Sequence, residues 1–330
     1  MTHGEGTAQA AAPVNFDAGK TLPVRIFDEI TELRVQRSNV AEQEAKRRKR
    51  RTHIAPDGRL VLVAVDHPAR GVTQIRKEEL AMGDRYQLLA RTRRVFDDPQ
   101  MDGIVATADI LEELLYLSYL ERKKGGKSFL DGRVLVGTMN RGGLAGTAFE
   151  MDDTFTGMTA KRIAELRLDG GKMMFRLDPA DAGSGKTVQA CADAINELRK
   201  NRLPAFIEAL TMEKKPGGGY HTLNNAAMLI RNCGIAAGLG DSSAHVWLKL
   251  PYCQDFDKVG MATTLPILLL GGPARESQRE TLADFAAGMA SSPRVRGAII
   301  GRNLLFPVEG DPLPMCNALT ELVHGKRKKK

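Results

Sequence analysis

Eight short apolar runs recur along this chain, and helical spacing covers the segments between them, including about residues 77–96 and 222–238. Short apolar strands that alternate with helices are typical of a parallel sheet covered by helices. The runs are LVLVAV (60–65), GIVAT (103–107), RVLVGT (133–138), KMMFRL (172–177), PAFIEAL (204–210), HVWLKLP (245–251), LPILLL (265–270) and GAII (297–300). A count of eight predicts an α/β fold of the closed (β/α)8 type, a TIM barrel, rather than an open sheet.

An extra helix is predicted ahead of the barrel, over about residues 23–51, because apolar residues recur there at roughly helical spacing. The small and polar residues from 1 to about 20 are expected to form a disordered lead. We therefore divide the chain into an N-terminal extension and helix (1–55), the barrel (56–325) and a basic tail (326–330).

The net charge of +8 comes from two basic runs. KRRKRR (46–51) carries +6 and KRKKK (326–330) carries +5, so the rest of the 330-residue chain carries −3. No nucleic-acid motif or aromatic interleaving accompanies these runs. We interpret them as a solvated helix end and a disordered tail, and expect no nucleic-acid partner.

Two negative features narrow the protein class further. No apolar run reaches the roughly 18 residues that span a bilayer, and the N-terminus lacks the apolar core of a signal peptide. A cytoplasmic protein without a membrane partner is expected. The four cysteines form no CxxC pair, which argues against a zinc knot or a disulfide framework.

The extra N-terminal helix is a candidate interface for a homo-oligomer.

Lys249 lies in the sixth run, and strand alternation places it on one face together with His245 and Trp247. A lysine on the inner face of a buried strand is unusual, because desolvation penalises its charge. The same penalty lowers the pKa and frees the amine as a nucleophile. We predict that Lys249 forms a Schiff base with a carbonyl substrate. The alternative is a lysine that pairs with a carboxylate or extends from the strand end into solvent.

Other strands carry charged residues toward the same end of the barrel, where active sites of this fold lie. Asp66 is a candidate acceptor of a substrate proton, or else a helix N-cap. Glu208 is a candidate proton relay, or else a salt-bridge partner of either lysine. Lys172 is expected to lie deeper and to support the field that keeps Lys249 neutral. Arg176, which shares its strand face, is expected to hold a substrate oxyanion.

Glycines follow the seventh and eighth runs, as Gly271-Gly272 and as Gly301-Arg302-Asn303. Barrels of this kind bind phosphate after these two strands, where bare backbone N–H groups face the ligand. Arg302 adds a forked cation suited to an oxyanion. We predict a phosphate site here, although glycine could equally serve tight turn geometry alone. A metal-dependent mechanism would need several converging histidines, and no metal site is expected.

Several of these segments resemble class I, Schiff-base-forming aldolases. Val65-Asp66-His67 resembles the "VDH" opening of the bacterial and archaeal fructose-bisphosphate aldolases, and Gly301-Arg302-Asn303 is similar to their phosphate-binding "GRN". Leu248-Lys249-Leu250-Pro251 resembles the "K-V-x-x-P" segment of tagatose-bisphosphate aldolases, in which the lysine forms the Schiff base. The segments at 172–175 and 206–208 resemble the "K-L-L" and "L-L-E" strands of the same group. The resemblance, over about 60–325, implies a class I aldolase with Lys249 as nucleophile.

The overall sequence most resembles an aldolase-like barrel family of actinobacterial inositol-catabolism clusters. That resemblance implies cleavage of 2-deoxy-5-keto-gluconate 6-phosphate to dihydroxyacetone phosphate and malonate semialdehyde. The chain departs from the better-known aldolases at His67-Pro68, where they usually have His-Gly, and at Trp247. Two other functions stay open: a phosphosugar isomerase or lyase without covalent chemistry, and a non-catalytic phospholigand-binding barrel. The expected ligand is a phosphorylated sugar or keto-acid, and no cofactor is expected, because an imine activates the substrate without one.

Overall fold

The structure is a computed structural model that describes residues 16–326, and strands alternate with helices through this part of the chain. The strands are β1 (Leu60–Ala64), β2 (Gly103–Ala106), β3 (Val134–Thr138), β4 (Gly170–Leu177), β5 (Ala205–Lys214), β6 (Tyr220–Leu223), β7 (Val246–Pro251), β8 (Ile267–Leu270) and β9 (Val295–Ile300). The helices are α1 (Ala18–Thr21), α2 (Val24–Gln36), α3 (Val40–Arg47), α4 (Arg85–Val95), α5 (Ala108–Lys123), α6 (Ala160–Glu165), α7 (Ser184–Lys200), α8 (Ala226–Ala237), α9 (Phe256–Met261), α10 (Gln278–Ser291), α11 (Arg302–Leu305) and α12 (Pro312–His324). A 3-10 turn spans Pro68–Arg70.

The described strands other than β6 form a closed parallel barrel. They pair in the order β4-β3-β2-β1-β9-β8-β7-β5, and a further pairing of β4 with β5 closes the ring. The prediction of a (β/α)8 barrel is therefore confirmed, and each predicted apolar run overlaps one of its strands. The carboxyl ends of all eight strands meet at one mouth.

Strand alternation divides the apolar residues between two buried layers. On β1, Leu60 and Leu62 belong to the cluster inside the barrel, whereas Val61 and Val63 pack outward against the helices. Phe206 and Trp247 fill the interior with their rings 6.1 Å apart between centroids. The amino-terminal half of the barrel interior is thus closed by apolar side chains, and the polar inward residues lie nearer the mouth.

The N-terminal segment differs from its prediction. The expected single helix is two helices, α2 and α3, because the backbone leaves helical geometry at Arg37 (φ −147°) and continues through Ser38-Asn39. Serine and asparagine side chains compete for backbone hydrogen bonds and disfavour helix interiors. The expected lead also contains structure, since α1 begins after Asp17, whose side chain caps it at the Gly19 amide. The rest of the lead, residues 1–15, and tail residues 327–330 lie outside the described part of the chain.

The basic run at 46–51 is only in part the solvated helix end that was predicted, because Lys46 and Arg47 are exposed at the end of α3 but Arg48 is buried. The Arg48 side chain is 1% exposed and donates to Asp169 Oδ2 at 2.9 Å. Arg50 donates to the other oxygen of the same carboxylate at 2.8 Å, and Arg51 pairs with Asp102 at 2.6 Å. Because Asp169 and Asp102 lie next to the amino-terminal ends of strands, these arginines fasten the N-terminal segment to the closed end of the barrel.

Two predicted helices are shorter than expected. Residues 71–84 form a loop, and α4 begins only after Asp84, whose carboxylate accepts a hydrogen bond from the Gln87 amide. The segment from 220 to 223 is strand β6, which pairs antiparallel with the end of β5. Gly217, Gly218 and Gly219 all have positive φ, which lets the chain turn sharply between these strands. The resulting hairpin rises beside the barrel mouth.

No helix within residues 16–326 is both long enough and apolar enough to cross a membrane.

Replacing Asp169 by Asn is expected to lower the free energy of unfolding by about 3–5 kcal/mol, because Arg48 would remain buried without its counter-charge. Urea unfolding followed by circular dichroism measures the loss. Asp241→Asn is the matched control, since it removes the carboxylate of an exposed pair with Arg199 and is expected to cost less than about 1 kcal/mol. Equal losses in the two variants would contradict a special role for the buried pair.

Candidate active site

Four charged side chains from four strands meet inside the barrel near the mouth. Asp66 follows β1, and Lys172, Glu208 and Lys249 lie on β4, β5 and β7. The strand register explains the meeting, since Glu208 is aligned with Lys249 on the neighbouring strand. Lys172, Glu208 and Lys249 occupy inward positions of their strands, as alternation predicts, and Asp66 lies just beyond the end of β1. We call these four residues the charge cluster.

One carboxylate oxygen joins the two lysines. Glu208 Oε2 lies 2.8 Å from Lys249 Nζ and 2.8 Å from Lys172 Nζ. Lys172 Nζ also donates to Asp66 Oδ2 at 2.8 Å, and the Thr138 hydroxyl donates to the same Asp66 oxygen at 3.2 Å. The chain of contacts therefore runs from Asp66 through Lys172 and Glu208 to Lys249.

The charge cluster is buried, and its two lysines have different surroundings. Burial lowers the pKa of Lys249, the nearby Lys172 ammonium lowers it further, and Glu208 opposes both effects. The pKa of Lys172 is raised despite burial, because it lies between two carboxylates, Asp66 and Glu208. Lys249 is thus the lysine that gives up its proton more readily.

The two carboxylates of the charge cluster are ionised. Burial acts to raise their pKa values, but the lysines outweigh it. The pKa of Glu208 falls to about 2, with Lys172 as the largest favourable charge and Lys249 next. Lys172 likewise lowers the pKa of Asp66. An ionised carboxylate beside a lysine of depressed pKa is an arrangement that can move protons.

A cavity of about 740 Å³ lies above the charge cluster and reaches the mouth of the barrel. All four cluster residues line it, and so do the predicted phosphate residues Gly271, Gly272, Gly301 and Arg302, together with Arg176. The structure therefore brings nine of the ten predicted site residues to one cavity. The loops after β8 and β9 form one part of its wall, and the β5–β6 hairpin forms another.

Asn303, the tenth, does not line the cavity. Its side-chain amide donates to the carbonyl oxygens of Gly271 at 2.7 Å and Pro273 at 2.9 Å, and its oxygen accepts from the Arg275 amide at 2.8 Å. These contacts join the turn after β8 to the turn after β9. In place of the expected direct ligand contact, Asn303 positions the two glycine turns.

Arg176 lies in the cavity wall but already has a partner. Its Nη2 lies 2.6 Å from Glu150 Oε1, and its Nη1 donates to the Gly142 carbonyl. The side chain is 3% exposed. These bonds hold the loop between β3 and α6 against the barrel, so the oxyanion-binding role predicted for Arg176 would require this pair to open.

The cavity is also lined by residues that the sequence analysis did not name as site residues, and His67 and Arg70 are among them. Burial lowers the pKa of His67 to about 3, so its ring is neutral, and His67 Nδ1 has no hydrogen-bond partner within residues 16–326. A side chain on Gly301 would collide with the His67 ring, which explains glycine at that position. The position of His67, directly after Asp66 at the end of the first barrel strand, could have identified it as a candidate site residue. Arg70 carried no comparable signal, because it lies in an irregular turn.

The fold and this cavity define the class: a (β/α)8 barrel with a lysine–carboxylate cluster at the carboxyl ends of its strands. The family model Cgl0159-like matches residues 58–318. The chain belongs to the Cgl0159-like family. It is 34% identical to Cgl0159 of Corynebacterium glutamicum, whose crystal structure superposes with a TM-score of 0.85, over 92% of this chain and 98% of that one.

More distant matches share the fold. An archaeal fructose 1,6-bisphosphate aldolase is 18% identical with a TM-score of 0.57, over 87% of this chain and 100% of that one. A Schiff-base-forming fructose-1,6-bisphosphate aldolase is 19% identical, also with a TM-score of 0.57, over 86% and 99%. This chain therefore has a barrel like that of class I aldolases. No match was found among the curated proteins.

Glu208→Gln is expected to lower the pKa of Lys249 further, because Glu208 is the charge that most favours the ammonium form of Lys249. NMR titration of isotope-labelled lysine side chains measures this pKa, with the signal assigned by its loss in Lys249→Met. Glu213→Gln is the control on the same strand, since Glu213 is exposed and pairs with His221 instead. An unchanged or higher Lys249 pKa in Glu208→Gln would count against Glu208 as the main counter-charge.

Proposed function

We propose that this protein is a class I aldolase, a carbon–carbon lyase that forms a Schiff base at Lys249 with a phosphorylated keto-sugar or keto-acid. The observation that carries the proposal is the Lys249 amine, which is buried in the cavity wall with a lowered pKa and lies 2.8 Å from an ionised carboxylate. The barrel shared with a Schiff-base-forming aldolase supports the same reading.

Imine formation begins with the neutral Lys249 amine, which attacks the substrate ketone to give a carbinolamine. Glu208 is placed to accept the lysine proton and to return a proton to the departing hydroxyl, which leaves as water. Lys172 stays protonated between the two carboxylates and keeps them ionised. The product of this step is a protonated imine at Lys249.

Bond cleavage uses the imine as an electron sink. A carboxylate, Glu208 or Asp66, takes the proton of the hydroxyl group on the carbon beyond the bond to be cleaved. The aldehyde product forms as that carbon–carbon bond breaks, and the electron pair moves to the imine nitrogen to give an enamine. Protonation of the enamine carbon and addition of water then release the second product and restore the free amine. Apart from the substrate, the reaction cycle uses only water and protons, and it needs no oxidant or reductant.

Arg302 and the glycine turns are suited to the phosphate of the substrate. Arg302 is largely buried, and its side chain makes no hydrogen bond or ion pair among the described residues, although it lines the cavity. A buried guanidinium without a counter-charge is costly, and a phosphate would relieve that cost. Gly271, Gly272 and Gly301 leave the backbone open beside it.

The substrate we propose first is 2-deoxy-5-keto-gluconate 6-phosphate, in inositol catabolism. The support is the resemblance of the sequence to the aldolase-like proteins of actinobacterial inositol clusters. Its cleavage would give dihydroxyacetone phosphate and malonate semialdehyde. The substrate of a barrel enzyme depends on its loops. The charge cluster therefore supports the proposed reaction type but does not support the choice of substrate.

Borohydride trapping with dihydroxyacetone phosphate tests the proposal. Reduction of the imine would leave a stable secondary amine, and intact mass followed by peptide mapping would place the adduct. We expect it on Lys249 in the unchanged chain and expect none in Lys249→Ala. Lys172→Met separates the two lysines, because the adduct should form more slowly in that variant but remain on Lys249.

Two outcomes would count against covalent catalysis at Lys249. An adduct on Lys172 would move the nucleophile to β4. An absence of adduct, with dihydroxyacetone phosphate shown to bind by calorimetry, would favour the non-covalent isomerase or lyase.

A further inference from the structure

His324 joins the end of the last helix to the closed end of the barrel, opposite the mouth. It is the last residue of α12, which packs against β1 and β9, the first and last strands of the barrel. Its Nδ1 lies 2.7 Å from Asp57 Oδ2, and its Nε2 lies 2.9 Å from Asp102 Oδ2. Asp57 precedes β1 and Asp102 precedes β2. One imidazole ring therefore connects α12 to the loops before two neighbouring strands.

The imidazole ring satisfies both contacts only when both of its nitrogens are protonated. Carboxylate oxygens accept hydrogen bonds, so each ring nitrogen of His324 needs a hydrogen to donate to its partner. The neutral ring carries one hydrogen, and its other nitrogen would direct a lone pair at a carboxylate oxygen. Loss of one proton thus replaces an attraction by a repulsion, at Asp57 or at Asp102.

Other donors hold the two carboxylates in place. Asp102 Oδ2 also accepts from a backbone amide of β1 at 2.7 Å, and its Oδ1 accepts from Arg51 at 2.6 Å. Asp57 Oδ1 accepts from the Arg59 amide at 2.9 Å. The side chains of His324 and Asp102 are only 11% and 7% exposed. Because the carboxylates are held by the barrel, we expect the helix end that carries His324 to move when the ring becomes neutral.

Further charged groups surround this contact. Besides the two carboxylates and Arg51, they come from the segment after α3, the start of β1, the loop after α4 and the start of β9: Arg50, His53, Arg59, Asp98 and Arg296. On α12 itself, Glu321 pairs with Lys326 at 3.9 Å. Arginine, lysine and carboxylate side chains ordinarily keep their charge between about pH 6 and about pH 9. His53 is exposed, whereas His324 is held between carboxylates.

The direction of the pKa shift agrees with the geometry. Burial acts to lower the pKa of His324, but the hydrogen bonds to Asp102 and Asp57 outweigh it and raise the pKa above the ordinary histidine value. The stability that the protonated ring contributes is therefore fully present below about pH 6.5, and it is lost as the pH rises through the raised pKa of the folded state. Protons reach the ring through a cavity of about 790 Å³, which is open to solvent.

We propose that His324 is a proton-operated latch, which fastens the end of α12 to the loops before β1 and β2 while both ring nitrogens are protonated and lets it loosen when one proton is lost. The latch lies where the last helix covers the paired first and last strands of the barrel. It gives the closed end of the barrel a response to pH that is separate from the chemistry at the mouth.

Pulsed hydrogen exchange, read by mass spectrometry on peptides that cover the last turn of α12, tests the latch. In this turn the Gly325 amide donates to the Glu321 carbonyl at 2.8 Å. After correction for the intrinsic effect of pH on exchange, we expect protection in the unchanged chain to fall about tenfold or more between about pH 6 and about pH 9. NMR titration of the His324 ring should give a midpoint above the ordinary value of about 6.5.

Asp57→Asn separates the latch from a general effect of pH on the protein. The asparagine amide can donate to His324 Nδ1 while Nε2–H donates to Asp102, so the neutral ring then satisfies both contacts. We expect this variant to keep its protection at about pH 9 and to titrate at a lower pH than the unchanged chain. Asp57 is half-exposed, so the substitution is expected to leave the fold intact.

His324→Gln should reduce protection at about pH 6 to the level that the unchanged chain shows at about pH 9, because the doubly protonated ring is gone. His221→Gln is the matched control, since it removes a half-exposed histidine that pairs with Glu213 at 3.1 Å on the β5–β6 hairpin. That control should leave exchange in α12 unchanged at both pH values. Thermal melting at each pH establishes that each variant is folded.

The inference is wrong if His324 titrates at or below the ordinary histidine value, or if protection in the unchanged chain does not fall as the pH rises. It is also wrong if a folded Asp57→Asn variant loses as much protection as the unchanged chain. If His324→Gln does not fold, the unchanged chain and Asp57→Asn still decide the question. These results are independent of borohydride trapping at Lys249, which lies at the other end of the barrel.

Discussion

Glu208 supplies the contact on which the rest of the site depends. Two lysines inside a barrel would repel each other and would both be penalised by burial. One oxygen of Glu208 accepts from both at 2.8 Å, and Asp66 adds a second negative charge on the far side of Lys172. Lys172 contacts two carboxylates, whereas Lys249 contacts only one. The contacts that offset the cost of burying the cluster therefore also give its two amines different pKa values.

Buried charges serve different purposes at the two ends of the barrel. At the closed end, Arg48 and Arg51 meet carboxylates at hydrogen-bond distance and hold the N-terminal segment. At the mouth, Arg302 is also largely buried, but its side chain donates to no oxygen among the described residues. A satisfied buried cation is explained by the fold alone, whereas an unsatisfied one in a cavity points to a missing anion. The contrast within one chain is why the mouth, and not the basic run, indicates a ligand.

Sequence patterns predicted the parts of this protein that follow strand alternation. The eight strands, and the inward positions of Lys172, Glu208 and Lys249, follow from a period of two residues and from apolar runs. The failures lie where long-range partners decide. The basic run looked solvated because Asp169 is distant in sequence, and the β5–β6 hairpin looked like the start of a helix. Arg70 was missed because it reaches the cavity from an irregular turn after β1, which no local sequence pattern encodes.

The division between strands and loops also limits what the charge cluster can tell about function. The cluster is built by rigid strands, and its chemistry requires only a carbonyl that can reach Lys249. The groups that would discriminate among carbonyl compounds lie outside the strands: Arg70 in a 3-10 turn, Arg302 after β9, and the wall formed by the β5–β6 hairpin. A relative with the same cluster but different loop residues around the cavity could therefore keep the reaction and change the substrate. The reaction type and the substrate are separate inferences, drawn from separate parts of the fold.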